Sequence, residues 1–272
     1  MKEKNKKNFA KKVIYIFMVI ILIILLVFLF KKTYEKLSNK KDFEKSVISF
    51  AEKNKKTVFS INKIVFFSSC DSKNKTSSIT NFTIENLYAY TDLALFINNY
   101  SEENNTENTL KNLKISNIKF TKMPTIGKPN LYYKSVNNFA KSEINENNII
   151  DNELKFEITS DSEANLEKPV LFNNCANPIT LSYINQNIKT DYTMTDTQNP
   201  ITYNGKLLKR CGVTIQSIDT TISFDVEIEN NKNQKFKTTV YFDIPYVDNE
   251  KSIYDGNITI KKDTNFNFYR YE

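Results

Sequence analysis

Glu157, Asp161, Glu163 and Glu167 form the densest run of carboxylates in the chain. Oxygen ligands at such short spacing suit a calcium ion, and two carboxyl groups at the right separation can hydrolyse a glycoside. A solvated acidic loop after a strand explains the same residues more simply, and it is the expectation here. Ser72-Lys73, and Ser135 beside Lys134 or Lys141, offer a hydroxyl next to an amine, the parts of a Ser-Lys nucleophile. With 38 Lys and Arg residues in the chain, such neighbours arise by chance. Cys70, Cys175 and Cys211 are odd in number and contain no C-x-x-C pair. If the domain is exported, Cys175 and Cys211 are the expected disulfide partners. Free thiols packed as small apolar residues fit the odd count better.

The chain contains no histidine. Ser-His-Asp and Cys-His catalysis need an imidazole titrating near neutrality, so both are excluded, including envelope transpeptidases that pair Cys with His. Zinc loses its commonest protein ligand. Four glycines, Gly127, Gly205, Gly212 and Gly256, stand too far apart for a phosphate-binding or dinucleotide loop. No catalytic residue, metal site or cofactor is assigned.

One long apolar stretch must be positioned first. Residues 13–30 read VIYIFMVIILIILLVFLF, with no charge, Gly or Pro. As a helix this run measures roughly 27 Å, close to the hydrocarbon thickness of a bilayer. Val13, Ile20, Leu25 and Phe30 mark the expected membrane anchor. Lys pairs flank it at Lys11-Lys12 and Lys31-Lys32, and KKTYEKLSNKKD follows without a small-residue cleavage site or a lipidation cysteine. The expected organisation is a basic cytoplasmic tail at 1–12, a transmembrane helix at 13–30, a helical stalk at 31–56 and an extracytoplasmic β-region at 57–272.

Charge supports that division. Residues 1–12 carry six Lys and one Glu, and residues 31–56 carry nine Lys and four acids. Each flank is therefore +5 against a total of +7, which leaves the region 57–272 near −3. A mildly acidic domain does not suit nucleic acid. The basic flanks suit membrane lipid or another anionic envelope polymer. Six Lys precede the span and six lie in the fifteen residues after it; the denser charge on the shorter tail orients the N-terminus to the cytoplasm.

Phe43, Val47 and Phe50 recur at i, i+4 and i+7, a helical stripe resting on its own domain or on a partner. From residue 57 the period becomes two. Ile218, Thr220, Ile222, Phe224, Val226 and Ile228 alternate with polar residues; after ENNKNQK, so do Phe236, Thr238, Val240, Phe242 and Ile244. That predicts a hairpin with one buried face, ended by Pro245. Further strands are predicted at 58–67, 79–87, 93–98, 114–120, 154–158, 179–184, 213–216 and 257–261. Asn is expected to supply the turns that glycine usually makes. The fold class is mainly β: an antiparallel β-sandwich, Ig-like or larger, behind a single transmembrane helix. DLALFINNYSEENNTENTLKNLKISNIKF and TISFDVEIENNKNQKFKTTVYFDIPY share a strand–turn–strand shape, so two units split near 140–152 are an alternative to one larger sandwich. The aromatic tail NFNFYRYE reads as a terminal strand.

Three functions fit these observations. The first is a non-enzymatic, membrane-anchored protein whose β-domain binds another envelope protein or a wall polymer. The second is a subunit of an assembled surface structure. A basic leader, an apolar helix running into a stalk and a β head are similar in layout to type IV pilins over the first fifty residues. The sequence departs from that pattern: 13–30 holds no acid, and Asn8-Phe9-Ala10-Lys11 lacks the small residue expected before a processing site. The third is an envelope hydrolase using carboxylates or Ser-Lys.

Overall fold

The computed structural model of the chain describes residues 2–53, 58–75, 82–99, 109–195, 201–245 and 251–271. The chain divides into two compact units, Met1–Lys55 and Lys56–Glu272.

The first unit is one helix, α1 (Lys2–Lys53), unbroken over 52 residues. A β-branched run such as VIILII is a poor helix former in water. In lipid the backbone must satisfy its own hydrogen bonds, and helix follows. Its segment Phe17–Ser46 holds a window long and apolar enough to cross a membrane, and none of that window is buried in protein. Ile20, Leu25 and Phe30 expose 47%, 54% and 74% of their surface. Val13 lies on the same helix, with its side chain outside the described residues. Beyond the apolar run, Lys31–Glu35 and Lys40–Glu44 pair at i, i+4. Phe43 is exposed, and the side chains of Val47 and Phe50 lie outside the described residues.

The second unit is mainly β. Its strands are β1 (Phe59–Ser72), β2 (Phe82–Thr83), β3 (Leu87–Asn99), β4 (Leu110–Lys122), β5 (Lys128–Tyr133), β6 (Glu153–Thr159), β7 (Val170–Phe172), β8 (Ile179–Ile188), β9 (Thr193–Met194), β10 (Thr220–Asn230), β11 (Lys235–Ile244), β12 (Ile258–Asn267) and β13 (Tyr269–Arg270). Two short helices, α2 (Gly205–Arg210) and α3 (Ile215–Ile218), lie between β9 and β10. One sheet has five strands in the order β12-β1-β3-β8-β5, and a second has six in the order β13-β11-β10-β4-β6-β7. A small third sheet pairs β2 with β9.

The hairpin β10–β11 forms where the alternation placed it, in register from Thr220 opposite Ile244 to Glu229 opposite Lys235. Asparagine makes its turn. The Asn230 side chain accepts from the backbone N–H of Lys232 and Gln234, and Asn233 adopts a left-handed φ of 58°. Of the six non-glycine residues with positive φ among those described, four are Asn. This matches the preference of that side chain for such turns.

Several sequence expectations need correction. Pairing is not wholly antiparallel: β6 and β7 run parallel, because residues 160–169 carry the chain back to start β7 alongside Glu157. Residues 213–216 are not a strand. Thr214 caps α3 by accepting from Ser217 N, and Ile218 ends that helical turn instead of opening β10. Of the strand expected at 79–87, residues 79–81 lie outside those described, β2 covers Phe82–Thr83, and Leu87 already belongs to β3. The two similar segments also differ in use. β10 and β11 pair with each other, whereas β3 and β4 go to different sheets.

Three apolar clusters hold the β unit together. The largest draws on both main sheets, including Phe59, Phe66, Leu95 and Leu181 from one and Phe224, Val226, Val240 and Phe242 from the other. Phe66 meets Phe242 edge to face with ring centroids 5.4 Å apart, as Phe59 meets Phe236. Such side chains contribute roughly 1.5–3 kcal/mol each by burial. A second cluster gathers Cys70, Leu87, Ile188, Leu207, Leu208 and Ile253. The third contains Phe67, Tyr88, Tyr90, Tyr132 and Ile184, packed against Phe139, Ile144 and Ile149.

Candidate functional site

The third cluster borders a buried group of polar side chains. β3 contributes Asp92, the single charge in a strand reading LYAYTDLALFINN; β8 contributes Ser182, and Lys134 follows β5 directly. Asp92 is fully buried and Lys134 nearly so. Lys134 Nζ lies 3.5 Å from Asp92 Oδ2. Ser182 Oγ donates to Asp92 Oδ1 at 2.5 Å, and Ala140 N donates to Oδ2 at 2.8 Å. The ammonium also donates to the carbonyls of Lys141, at 2.5 Å, and Glu143, at 3.4 Å, and sits 5.7 Å from the centre of the Tyr90 ring. Burial pushes the Asp92 carboxyl above its ordinary pKa; the Lys134 charge and the hydrogen bonds from Ser182 and Ala140 pull part of that back.

Beside this pair is a cavity of about 410 Å³, lined by Tyr132, Lys134, Ser135, Asn138, Asn148 and Glu167 among others. Ser135 Oγ is buried and makes no hydrogen bond of acceptable geometry. The Glu167 carboxylate accepts from Asn137 Nδ2 at 2.8 Å and Asn138 Nδ2 at 3.3 Å. The hydrogen bond from Asn137 leads in holding Glu167 below the usual carboxylate range. A second network joins Glu146 to Lys73, Gln186 and Tyr132, each at 3.2 Å. Burial, and then the charge of Glu146, push the Tyr132 hydroxyl up to about 12.

These positions answer the chemistry read from the sequence. Lys134 stands next to Ser135 in the chain, but its donors are directed at Asp92 and two carbonyls. Lys73 is paired with Glu146, while Ser72 Oγ donates to the Glu85 carbonyl at 3.2 Å. Lys141 Nζ, the other amine read beside Ser135, donates to Asn138 Oδ1 at 3.1 Å. Glu157 lies in β6, Asp161 accepts from Glu163 N in the following loop, and Glu167 faces the asparagines. Among the described residues, no three His, Cys, Asp or Glu side chains converge to hold a metal. Cys70 is buried, Cys175 and Cys211 are half-buried, and all three are free thiols. Cys175 packs against the largest cluster and Cys211 against the second, of which Cys70 is a member, so the pairing expected from the sequence joins two different clusters.

The outer face of the six-stranded sheet carries a ladder of opposite charges whose acids on β10 are half-buried or, at Asp225, buried. Lys237 lies 2.7 Å from Asp225, Lys114 bridges Glu227 and Glu153, and Lys111 pairs with Glu229. Lys114, Lys155, Glu227, Glu229 and Tyr271 help line a cleft of about 490 Å³ on this face. Burial tends to raise the Asp225 pKa, but hydrogen bonds from Lys237, Thr239 and Asn117 outweigh it and the net shift is downward.

No family model, curated protein or solved structure matches the chain.

The residue that sequence reasoning missed is Asp92. A lone acid inside an otherwise uncharged, largely apolar strand was the available signal, because a buried charge requires a partner.

Proposed function

We propose that the chain is a single-pass membrane protein that holds a non-catalytic β-domain outside the cytoplasm, where it binds another envelope protein or a wall polymer. The observation that carries this reading is the apolar segment within Phe17–Ser46, long enough to span a bilayer and covered by no protein. On this reading the two main sheets are the halves of a β-sandwich, since their apolar residues share one cluster. The helix beyond the apolar run serves as a stalk. The spent donors of Lys134 and Lys73 support the non-catalytic assignment, and the charged face of the six-stranded sheet offers partners a patterned surface. Anionic lipid headgroups contact the basic flanks.

Two measurements test it. With a cysteine placed at the exposed Met123, a membrane-impermeant maleimide should label the full chain on intact cells; labelling only after lysis contradicts the location. Cross-linking the full chain in its native membrane should recover one envelope component reproducibly. Recovery of none counts against the binding role.

A pilin-like subunit is the second reading, favoured by the continuity of the 52-residue α1. A mature N-terminus processed near Phe9 would support it and displace the first.

A further inference from the structure

The cavity beside Asp92 and Lys134 has a buried floor and an open rim. Tyr132, Tyr133, Lys134, Ser135 and Ser182 on the floor are buried, whereas Glu143, Asn145 and Glu167 at the rim are exposed. Its volume of about 410 Å³ falls within the range of roughly 300–1,000 Å³ usual for small-molecule sites. Most of the floor is already bonded. Asp92 holds Ser182 and Lys134, Tyr132 donates to Glu146 and accepts from Gln186, and Tyr133 donates to the Leu166 carbonyl at 3.2 Å. Ser135 is the exception. It is 4% exposed, and its Oγ has no hydrogen-bond partner among the described residues. A buried hydroxyl requires a partner, and the cavity that Ser135 lines is where one can enter.

We infer that this cavity binds one uncharged sugar residue, with Ser135 Oγ as its innermost hydrogen bond. The inference rests on the wall-polymer reading above and names the unit recognised. A sugar hydroxyl both donates and accepts, so it suits a lining that offers both. Asn145 spends its Oδ1 on the Asn147 N–H at 3.1 Å and keeps its amide N–H groups. Asn148 spends its Nδ2 on the Tyr133 carbonyl at 3.3 Å and keeps its Oδ1 as an acceptor. The carboxylates of Glu143 and Glu167 add acceptors at the rim. Ile144 and Ile184, with the tyrosine rings whose hydroxyls are occupied, supply an apolar wall for the C–H face of a sugar ring. Charge selects against an ionic ligand. Lys134 is matched by Asp92, and Lys141 lies close enough for its charge to act on Glu167. Glu143 then remains as the one lining charge without an opposite among the described residues, which disfavours an anion and gives a cation a single exposed partner.

The test uses the full chain in a zwitterionic detergent that has no sugar headgroup, titrated by saturation-transfer NMR. The probes are the methyl glycosides of glucose, galactose and mannose, N-acetylglucosamine and N-acetylgalactosamine, with glucuronate and glucosamine as charged counterparts. At least one uncharged sugar should bind, and both charged ones should bind more weakly. Ser135→Ala should weaken that sugar about tenfold while leaving the thermal midpoint unchanged, because the hydroxyl bonds nothing within the protein. Ser135→Leu, which fills the cavity, should abolish binding. Binding of no uncharged sugar, a preference for either charged one, or equal affinity in the wild type and Ser135→Ala overturns the inference. No bound sugar, while cross-linking recovers an envelope protein, rejects the sugar site and leaves the binding role standing. A bound sugar, with labelling at position 123 only after lysis, supports the site and counts instead against the extracytoplasmic location.

Discussion

Asp92 and Lys134 place two charges where water does not reach, and their cost depends on both being present. Asp92→Asn leaves the ammonium buried with only carbonyl acceptors, and Lys134→Met leaves the carboxylate buried with hydrogen bonds alone. Each single change should cost about 3–5 kcal/mol, and the double variant far less than the sum. Chemical denaturation of the four proteins measures this; additive losses would show that the pair is not a unit. The pH response has two opposing parts. Asp92 has a raised folded pKa, so its contribution is fully present below its unfolded value and is lost as pH rises through the folded one. Asp225 and Glu227 have lowered folded pKa values; burial opposes that shift in both, and Lys237 or Ser116 leads the bonds that win. Their contribution is present above the unfolded values of 3.8 and 4.5 and is lost as pH falls through the folded ones. Asp225→Asn should therefore flatten the acid limb of the stability curve. An unchanged acid limb would contradict the ladder's role. None of these partnerships was legible in the sequence, because Asp92 and Lys134 meet only once β3, β5 and β8 are side by side.

Among the elements, legibility followed burial. β10 and β11 alternate because one face of each packs into the core and the other carries polar side chains, half-buried on β10 and more open on β11, and the sequence pattern placed both strands. β3 and β8 are buried on nearly every residue, since Phe139, Ile144 and Ile149 cover the second face of their sheet. Period two vanishes there, which is why only part of β3 was read at 93–98. β5 and α2 carried no periodic signal at all. Asn233 should accept Gly with little loss, whereas Asn233→Val should cost about 1–2 kcal/mol because its φ is left-handed. Thermal denaturation of both variants decides it, and equal stability would contradict the turn geometry. The edges of the sheets are guarded. β13 and β7 are short, β5 contains Pro129 and takes a bond from Ile150, and β12 exposes Lys261, Lys262 and Asp263. Replacing Lys261 and Lys262 together by Val should raise aggregation by light scattering; no change would show that the lysines do not guard that edge.

At the scale of the whole molecule, the long apolar helix and the mainly-β remainder were legible before any of the detail. Eighteen consecutive uncharged residues announce themselves by length, and the −3 balance of residues 57–272 separates the domain from its basic flanks. A binding partner was not legible, because recognition depends on which exposed side chains share a face. Leu25→Arg near the middle of the apolar run should cost about 3 kcal/mol of insertion and lower the membrane-bound fraction. The most direct measurement of the central claim is alkaline carbonate extraction of membranes from cells making the full chain. The account predicts that the intact polypeptide stays in the membrane pellet and is released only by detergent. Intact polypeptide in the detergent-free supernatant would contradict it.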